Sequence, residues 1–306
     1  MIGRMSSLQF NQLGVSHILD AQERLAQLQE KIATGKRLAR PSDDPVASAK
    51  IIALQTELAK IEVYQKNMAS VTTSLSIEET ALDSANELIL RVRELTILGQ
   101  NGTLAAADRQ AIATEIDGLR EQLISVANTQ NADGEFIFAG SETSMPAYDI
   151  SGVFQGDNVV RNINISSHST IRLGHSGEEV FEVINEDDPL AIKNTFDVIA
   201  AVSEALRQDE WTEAEQTEVS VGLRDVDIAI EQLSSVRTSI GVRMNLIDNQ
   251  SMLNDNFNLD LQQTLSEIED LDIAEAVGRL QMQMVSLQAA QQTFVKTQNL
   301  SIFNYL

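Results

Sequence analysis

One row of apolar residues returns every seven positions through the first third of the chain: Leu54, Ile61, Met68, Leu75, Leu82 and Ile89, with Leu58, Val71, Ala85 and Val92 filling parts of the adjoining row. A seven-residue return marks a helix that packs along a narrow seam. The pattern predicts a helix from about residue 46 to about 98, roughly 80 Å long at about 1.5 Å per residue, ending at the Asn101-Gly102 turn. A second helix follows from Ile112, Ile116, Leu119, Leu123 and Val126, and is expected to stop within ANTQNADG, where Gly134 can end the run. Thr212 and Glu215 then form a capping box ahead of a row made by Leu223, Val226, Ile230, Leu233, Ile240, Met244, Ile247, Leu261, Leu265 and Ile268. Arg237, Ser251, Asn254 and Asn258 share that row, where polar residues weaken a seam and either set its register or admit a neighbour.

Proline punctuates this map. Pro41, Pro45, Pro146 and Pro189 are the only four, so residues 46–145 and 190–306 are free of the strongest helix breaker. A shorter helix is expected through TFDVIAAVSEAL, after the DDPL at 187–190. Between the two territories, residues 134–177 hold six of the fifteen glycines and the β-favouring pieces EFIFAG, VVRNINIS and STIRL, with EVFEV just beyond. The expected fold is mainly α: an elongated antiparallel helical bundle or coiled-coil rod with a small β-rich insertion. Its expected domains are a terminal coiled coil (1–42 with 270–306), a helical rod (43–133 with 190–269) and the β-rich part (134–189).

The two ends share a pattern of their own. Leu8, Val15, Ile18, Leu25 and Ile32 make a stripe with Gln22 and Gln29 at intervening positions; Ile273, Val277, Leu280, Met284, Leu287 and Phe294 make another, interrupted by Gln291 and Gln298. Each end is an amphipathic helix whose narrow seam cannot be well buried alone. The ends can close on each other within one chain, or the pair can also pack against further copies.

Composition narrows the classes. Aromatics are only 4% of a 306-residue chain that is 43% hydrophobic, which favours helical packing of Leu, Ile, Val and Ala over an enzyme core built on large rings. A formal net charge of -23 argues against nucleic acid, whose binding runs on Lys and Arg. Cysteine is absent, excluding disulfides and thiolate sites. No apolar run approaches the ~20 residues of a membrane span, and the N-terminus lacks a cleavable signal pattern; membrane insertion is not expected, and export would follow another route.

Catalytic and cofactor signatures are missing as well. Phosphate-cradling and nucleophile-elbow glycine motifs do not occur, and neither zinc nor EF-hand calcium spacing is present. His168 and His175 are expected at the surface of the insertion, and Trp211 as a packing contact beside the capping box. No enzyme, metal or cofactor is expected.

Several stretches together carry a family likeness. TGKRLARPSDDPVASA (34–49), IATEIDGLREQLISVANTQNADGEFIFAGSET (112–143), FQGD (154–157), LDIAEAVGRLQMQMVSLQAAQQTF (271–294) and LSIFNYL (300–306) resemble the flagellin family. RPSDDP with FIFAGSET, FQGD and a small insertion is more similar to its hook–filament junction branch than to filament flagellins. The resemblance implies an inner coiled-coil layer made by both termini, a rod, and an insertion that projects outward. It also implies unfolded passage through the flagellar type III export apparatus with an export chaperone, and an extracellular place in the flagellum. There the partners would be hook-associated protein 1, flagellin and further copies of the chain in a ring.

Within the basic stretch before SDDP, local geometry accounts for most residues. Gly35 suits the position after a helix, with Lys31 near its negative end; Ser42, Asp43 and Asp44 offer capping oxygens, and Pro45 suits a first helical turn. Lys36, Arg37 and Arg40 remain, as partners for carboxylates on the same molecule or on a neighbour.

Overall fold

The computed structural model describes residues 7–184 and 192–303. It divides into two compact units, residues 1–60 with 256–306 and residues 61–255. The described residues form α1 (Ser7–Thr34), α2 (Pro45–Gly99), α3 (Ala106–Ala127), β1 (Asn162–Asn164), β2 (Thr170–Arg172) and α4 (Gly177–Phe181). There follow β3 (Glu182–Ile184), β4 (Ile192–Asn194), α5 (Thr195–Arg207), α6 (Glu213–Glu269) and α7 (Ile273–Phe303). The DDP at 187–189 lies outside the described residues.

The helix ends are chemically marked. Asp44 Oδ1 accepts from the Ala47 amide at 3.0 Å, with Pro45 as the first residue of α2. At the start of α6, the Glu215 carboxylate reaches back to the Thr212 amide at 3.0 Å while Thr212 Oγ1 accepts from the Ala214 amide at 3.2 Å. α3 stops at Ala127, earlier than Gly134, because the Asn128 side chain leaves the helix to bracket Tyr148, accepting from its amide and donating to its carbonyl. Gly134 serves a tight turn downstream, at φ 78.

Within the 61–255 unit, the heptad row of α2 is the core. Ile61, Met68, Leu75, Leu82, Ile89 and Thr96 are all buried, as are Val71, Glu78, Ala85, Val92 and Gly99 in the adjoining row. On α6, Val219, Val226, Leu233, Ile240, Ile247 and Asn254 are buried at the same seven-residue interval. Polar contacts show that the two run antiparallel in constant register: Gln65 to Asp255, Arg237 to Asp83 at 3.0 Å, Arg93 to Asp227, and Gln100 to Ser220 at 3.3 Å. α3 and α5 complete the bundle through Ile112, Ile116 and Leu123 against Ile199, Val202 and Leu206. Close approach is built in at Gly222, where a Cβ would lie 2.2 Å from Val202 Cγ2.

The insertion is less regular than its β-favouring pieces predict. VVRNINIS and STIRL supply β1 and β2, an antiparallel pair, but EFIFAG contributes only a single bridge, Gln130 to Phe136. EVFEV splits: Ser176 caps a one-turn helix by accepting from the Glu179 amide, so Glu179 to Phe181 are helical and only Glu182–Ile184 joins β4. The region is held by rings. Phe138, Tyr148, Phe154, Phe181 and Phe196 form one cluster, with Tyr148 and Phe196 centroids 4.8 Å apart. Few residues must here bury a large area, which is what aromatic side chains do best.

FIFAGSET and FQGD face each other. The Asp157 carboxylate accepts from the Ser141 amide at 2.6 Å, from the Ser141 hydroxyl, and from the Val159 amide at 3.1 Å, while its own amide donates to Ala139 O at 3.1 Å. Gly140, at φ 73, lies so close that a Cβ would meet the Asp157 carbonyl oxygen at 2.0 Å; one on Gly156 would meet Ala139 O at 2.6 Å. The Ser141 bonds hold the Asp157 carboxyl below the usual range. Its contribution is therefore complete above the ordinary aspartate pKa of about 3.9 and is lost as pH falls through the lower folded value.

The insertion is fastened to the helices of its own unit. Asn67 Nδ2 donates to Asn164 O at 2.8 Å and Asn254 Nδ2 to Ile165 O at 3.4 Å, seating the β1–β2 turn on α2 and α6. A second fastening is buried. His168 is exposed as expected, but His175 is only 3% exposed, drawn inside by charged partners that the local sequence does not display. Its Nδ1–H donates to Glu78 Oε1 at 2.7 Å, and its Nε2 accepts from Arg243 Nη2 at 2.9 Å. Arginine can only donate, so the imidazole is neutral and protonated on Nδ1. Arg243 also binds Gly174 O at 3.1 Å, and burial lowers its pKa from the ordinary value.

Two substitutions test these fastenings. His175→Ala leaves the buried Glu78 and the half-buried Arg243 without their bridge and should cost about 3 kcal/mol in chemical denaturation. Gly140→Ala should cost about 2 kcal/mol or more, from left-handed strain plus the backbone clash, and should lower the thermal midpoint without changing the helical circular dichroism signal of the folded state.

Candidate assembly interface

The unit formed by 1–60 and 256–306 is built by α1 and α7, which pair antiparallel: Gly14 lies against the Phe294 ring, where a Cβ would come within 2.7 Å of Cδ2. Neither helix has a wide apolar face, so pairing covers one row on each and leaves the rest in water. On α1 the covered row is Gly14, Ile18, Ala21, Leu25, Leu28 and Ile32, all half-buried; on α7 it is Ala276, Leu280, Gln283, Leu287, Ala290 and Phe294. Small residues at alternate steps let the two backbones approach.

This row differs from the expected stripes in part. Ile18, Leu25, Ile32, Leu280, Leu287 and Phe294 belong to it. Val15 (45% exposed), Ile273 (55%), Val277 (38%) and Met284 (47%) face out instead, because Gly14, Ala21, Ala276 and Ala290 permit a closer approach than their larger neighbours would. The side chain of Leu8 lies outside the described residues. Leu19 and Val295 are also exposed, so α7 carries an uncovered apolar row, Ile273, Val277, Met284 and Val295, beside the closed seam, and α1 carries two uncovered apolar side chains, Val15 and Leu19.

The basic stretch at 34–45 closes this pair at its other end. Gly35, at φ 70, turns the chain out of α1. Its carbonyl accepts from the Leu271 amide at 2.9 Å, and the Arg37 amide donates to Glu269 O at 2.7 Å, so that Lys36 and Asp270 form an antiparallel bridge. The Arg37 guanidinium caps α6 by donating to Ile268 O from Nε at 3.1 Å and Nη2 at 2.7 Å. Lys36 pairs with Glu269, whose carboxylate raises the ammonium pKa through its hydrogen bond and its charge. Arg40 approaches Glu30 and Lys31 approaches Asp43, each at 3.8 Å, while Asp44 and Pro45 begin α2. Of the two partners expected for Lys36 and Arg37, the same molecule supplies both, and for Arg37 it is a carbonyl rather than a carboxylate. The register that brings 35–37 to 268–271 is invisible in either segment alone.

What the site offers is a shape and an uncovered surface; among the described residues no group of His, Asp or Glu could hold a metal ion, and no helix is long and apolar enough to cross a membrane. These are the features of a helical protein whose first and last helices pair with each other and leave apolar side chains exposed. Two regions match family descriptions: the bacterial flagellin N-terminal helical region over residues 6–143, and the bacterial flagellin C-terminal helical region over residues 223–306. The chain belongs to the flagellin family.

Relatives refine the placement. The chain is 28% identical to flagellar hook-associated protein 3 of Escherichia coli strain K12, over 98% of both chains. To the flagellin of Bacillus subtilis strain 168 it is 26% identical over 86% of this chain and 85% of that one. Among solved structures it is similar to one described as a flagellar hook-associated protein from Vibrio parahaemolyticus, with TM-score 0.67 and 28% identity over 74% of this chain and all of the other.

Arg37→Ala removes the α6 cap and should lower stability by about 1 kcal/mol, with faster amide exchange at Ile268 to Leu271 than in the 61–255 core. Equal change in both units would show that the arm does not act locally.

Proposed function

We propose that this protein is a structural adaptor of the bacterial flagellum, joining hook-associated protein 1 at the hook to the first flagellin subunits, in a ring of its own copies at the hook–filament junction. The observation that carries this reading is the set of apolar side chains left uncovered on the paired termini. Val15 and Leu19 on α1, with Ile273, Val277 and Met284 on α7, remain in water after the intramolecular seam has closed. An intramolecular clasp alone would need only the first row. Full-length similarity to hook-associated protein 3 supports the junction over the filament as the place of assembly.

In this reading the terminal segments 1–42 and 270–306 form the packing layer. The expected seam residues act in two sets: Ile18, Leu25, Ile32, Leu280, Leu287 and Phe294 close the pair, while Val15, Ile273, Val277 and Met284 meet neighbours. The arm from Gly35 to Pro45 fastens the end of α1 to the α6–α7 joint. Type III export with a chaperone delivers the chain outside the cell.

The test introduces aspartate at Val15 and Met284 together. The purified double variant should unfold at the same temperature as the parent. Cells carrying it should retain hooks, release flagellin monomers into the medium and lose motility, as a deletion strain would. Normal filaments on either strain would sink the junction role.

A further inference from the structure

The α2–α3 corner holds the only Asn-Gly pair in the chain, Asn101-Gly102, and the fold makes no use of its glycine. Gly102 is not among the glycines with positive φ, and a Cβ placed on it would meet nothing within 4 Å. Both residues are exposed. Among the described residues no acceptor takes the Gly102 amide proton. The Asn101 side-chain carbonyl, by contrast, accepts from the Thr103 amide at 3.1 Å and the Thr103 hydroxyl at 2.8 Å. Those two donors draw electrons from the amide carbon and fix the side-chain carbonyl on Thr103.

We propose that Asn101 is a site of spontaneous, non-enzymatic deamidation. The Gly102 nitrogen, after losing its proton to solvent base, attacks Asn101 Cγ; a carbon–nitrogen bond forms, the bond to the side-chain nitrogen breaks, and ammonia leaves. Water then opens the succinimide at either carbonyl, leaving aspartate or isoaspartate. A glycine permits the attack because no side chain blocks the approach.

The product has a route into the core. Isoaspartate lengthens the main chain between residues 101 and 102, so the turn in which the Leu104 amide donates to Asn101 O at 3.0 Å cannot persist. Leu104 O accepts from Arg109 Nη1 at 3.1 Å; the same buried guanidinium binds Gln208 O at 3.0 Å and Asp209 O at 3.2 Å, and stacks on Trp211 with its carbon 4.7 Å from the ring centroid. Trp211 is the only tryptophan, so the modification reports itself optically.

Full-length protein is incubated at mildly alkaline pH, sampled over time, and read by peptide mass spectrometry and isoaspartyl methyl transfer, with Trp211 emission followed in parallel. The expected result is isoaspartate at 101 that accumulates in step with a shift in Trp211 emission. Gly102→Ala, which the fold accommodates, should lose both signals. An unmodified Asn101 in the folded chain, while the same chain in denaturant deamidates, would overturn the proposal; so would an unchanged rate in Gly102→Ala. Modification with constant Trp211 emission would overturn the coupling through Arg109.

Discussion

The antiparallel register of α2 against α6 is the constraint on which the 61–255 unit depends. Neither helix could hold its length in water by propensity alone, since helical stability in proteins comes mostly from packing an apolar face. Two rows at seven-residue spacing mesh again after a slip of one heptad, so it is the paired polar contacts from Gln65–Asp255 to Gln100–Ser220 that fix the register along the overlap. Everything else in the unit, including α3, α5 and the insertion, is placed by what these two helices leave uncovered.

Polar residues in the rows show how the register is used. Arg237 answers Glu79 and Asp83 on the facing helix, Asn254 answers a carbonyl of the insertion, and Glu78 meets His175 and, through it, Arg243. Asn254 and Glu78 interrupt the apolar seam where the insertion docks, and Arg237 interrupts it where α2 and α6 face each other. A slip of one heptad would bury these groups without partners, which costs far more than the seam loses by including them. Specificity and attachment are thus served by the same residues.

In the terminal unit the balance is different. α1 and α7 close with rows that are half-buried apart from the buried Ala276, and retain further apolar side chains in solvent. A surface of that kind is marginal in one chain and useful in many. The arm at 35–37 holds the joint between α6 and α7 by backbone pairing and a guanidinium cap.

How much of this was legible in the sequence follows from the range of the forces. The lengths of α2 and α6, the capping box at Thr212, the turn at Gly35 and the antiparallel helical class are local or periodic properties, and one strand of sequence carries them. The choice between Val15 and Gly14, or between Met284 and Gln283, as the contacting position was not legible, because it depends on how closely two backbones approach, which the partner's small residues decide. The irregular path of EFIFAG, the helix within EVFEV and the burial of His175 were hidden for a related reason. Each is set by residues far away in the chain, such as Glu78, Arg243 and Phe196, whose energies of contact exceed local β preference. Periodicity and capping set the helices and their repeating faces. Which of those faces close upon each other and which stay open rests on packing between distant segments, since burial is a property of two surfaces meeting.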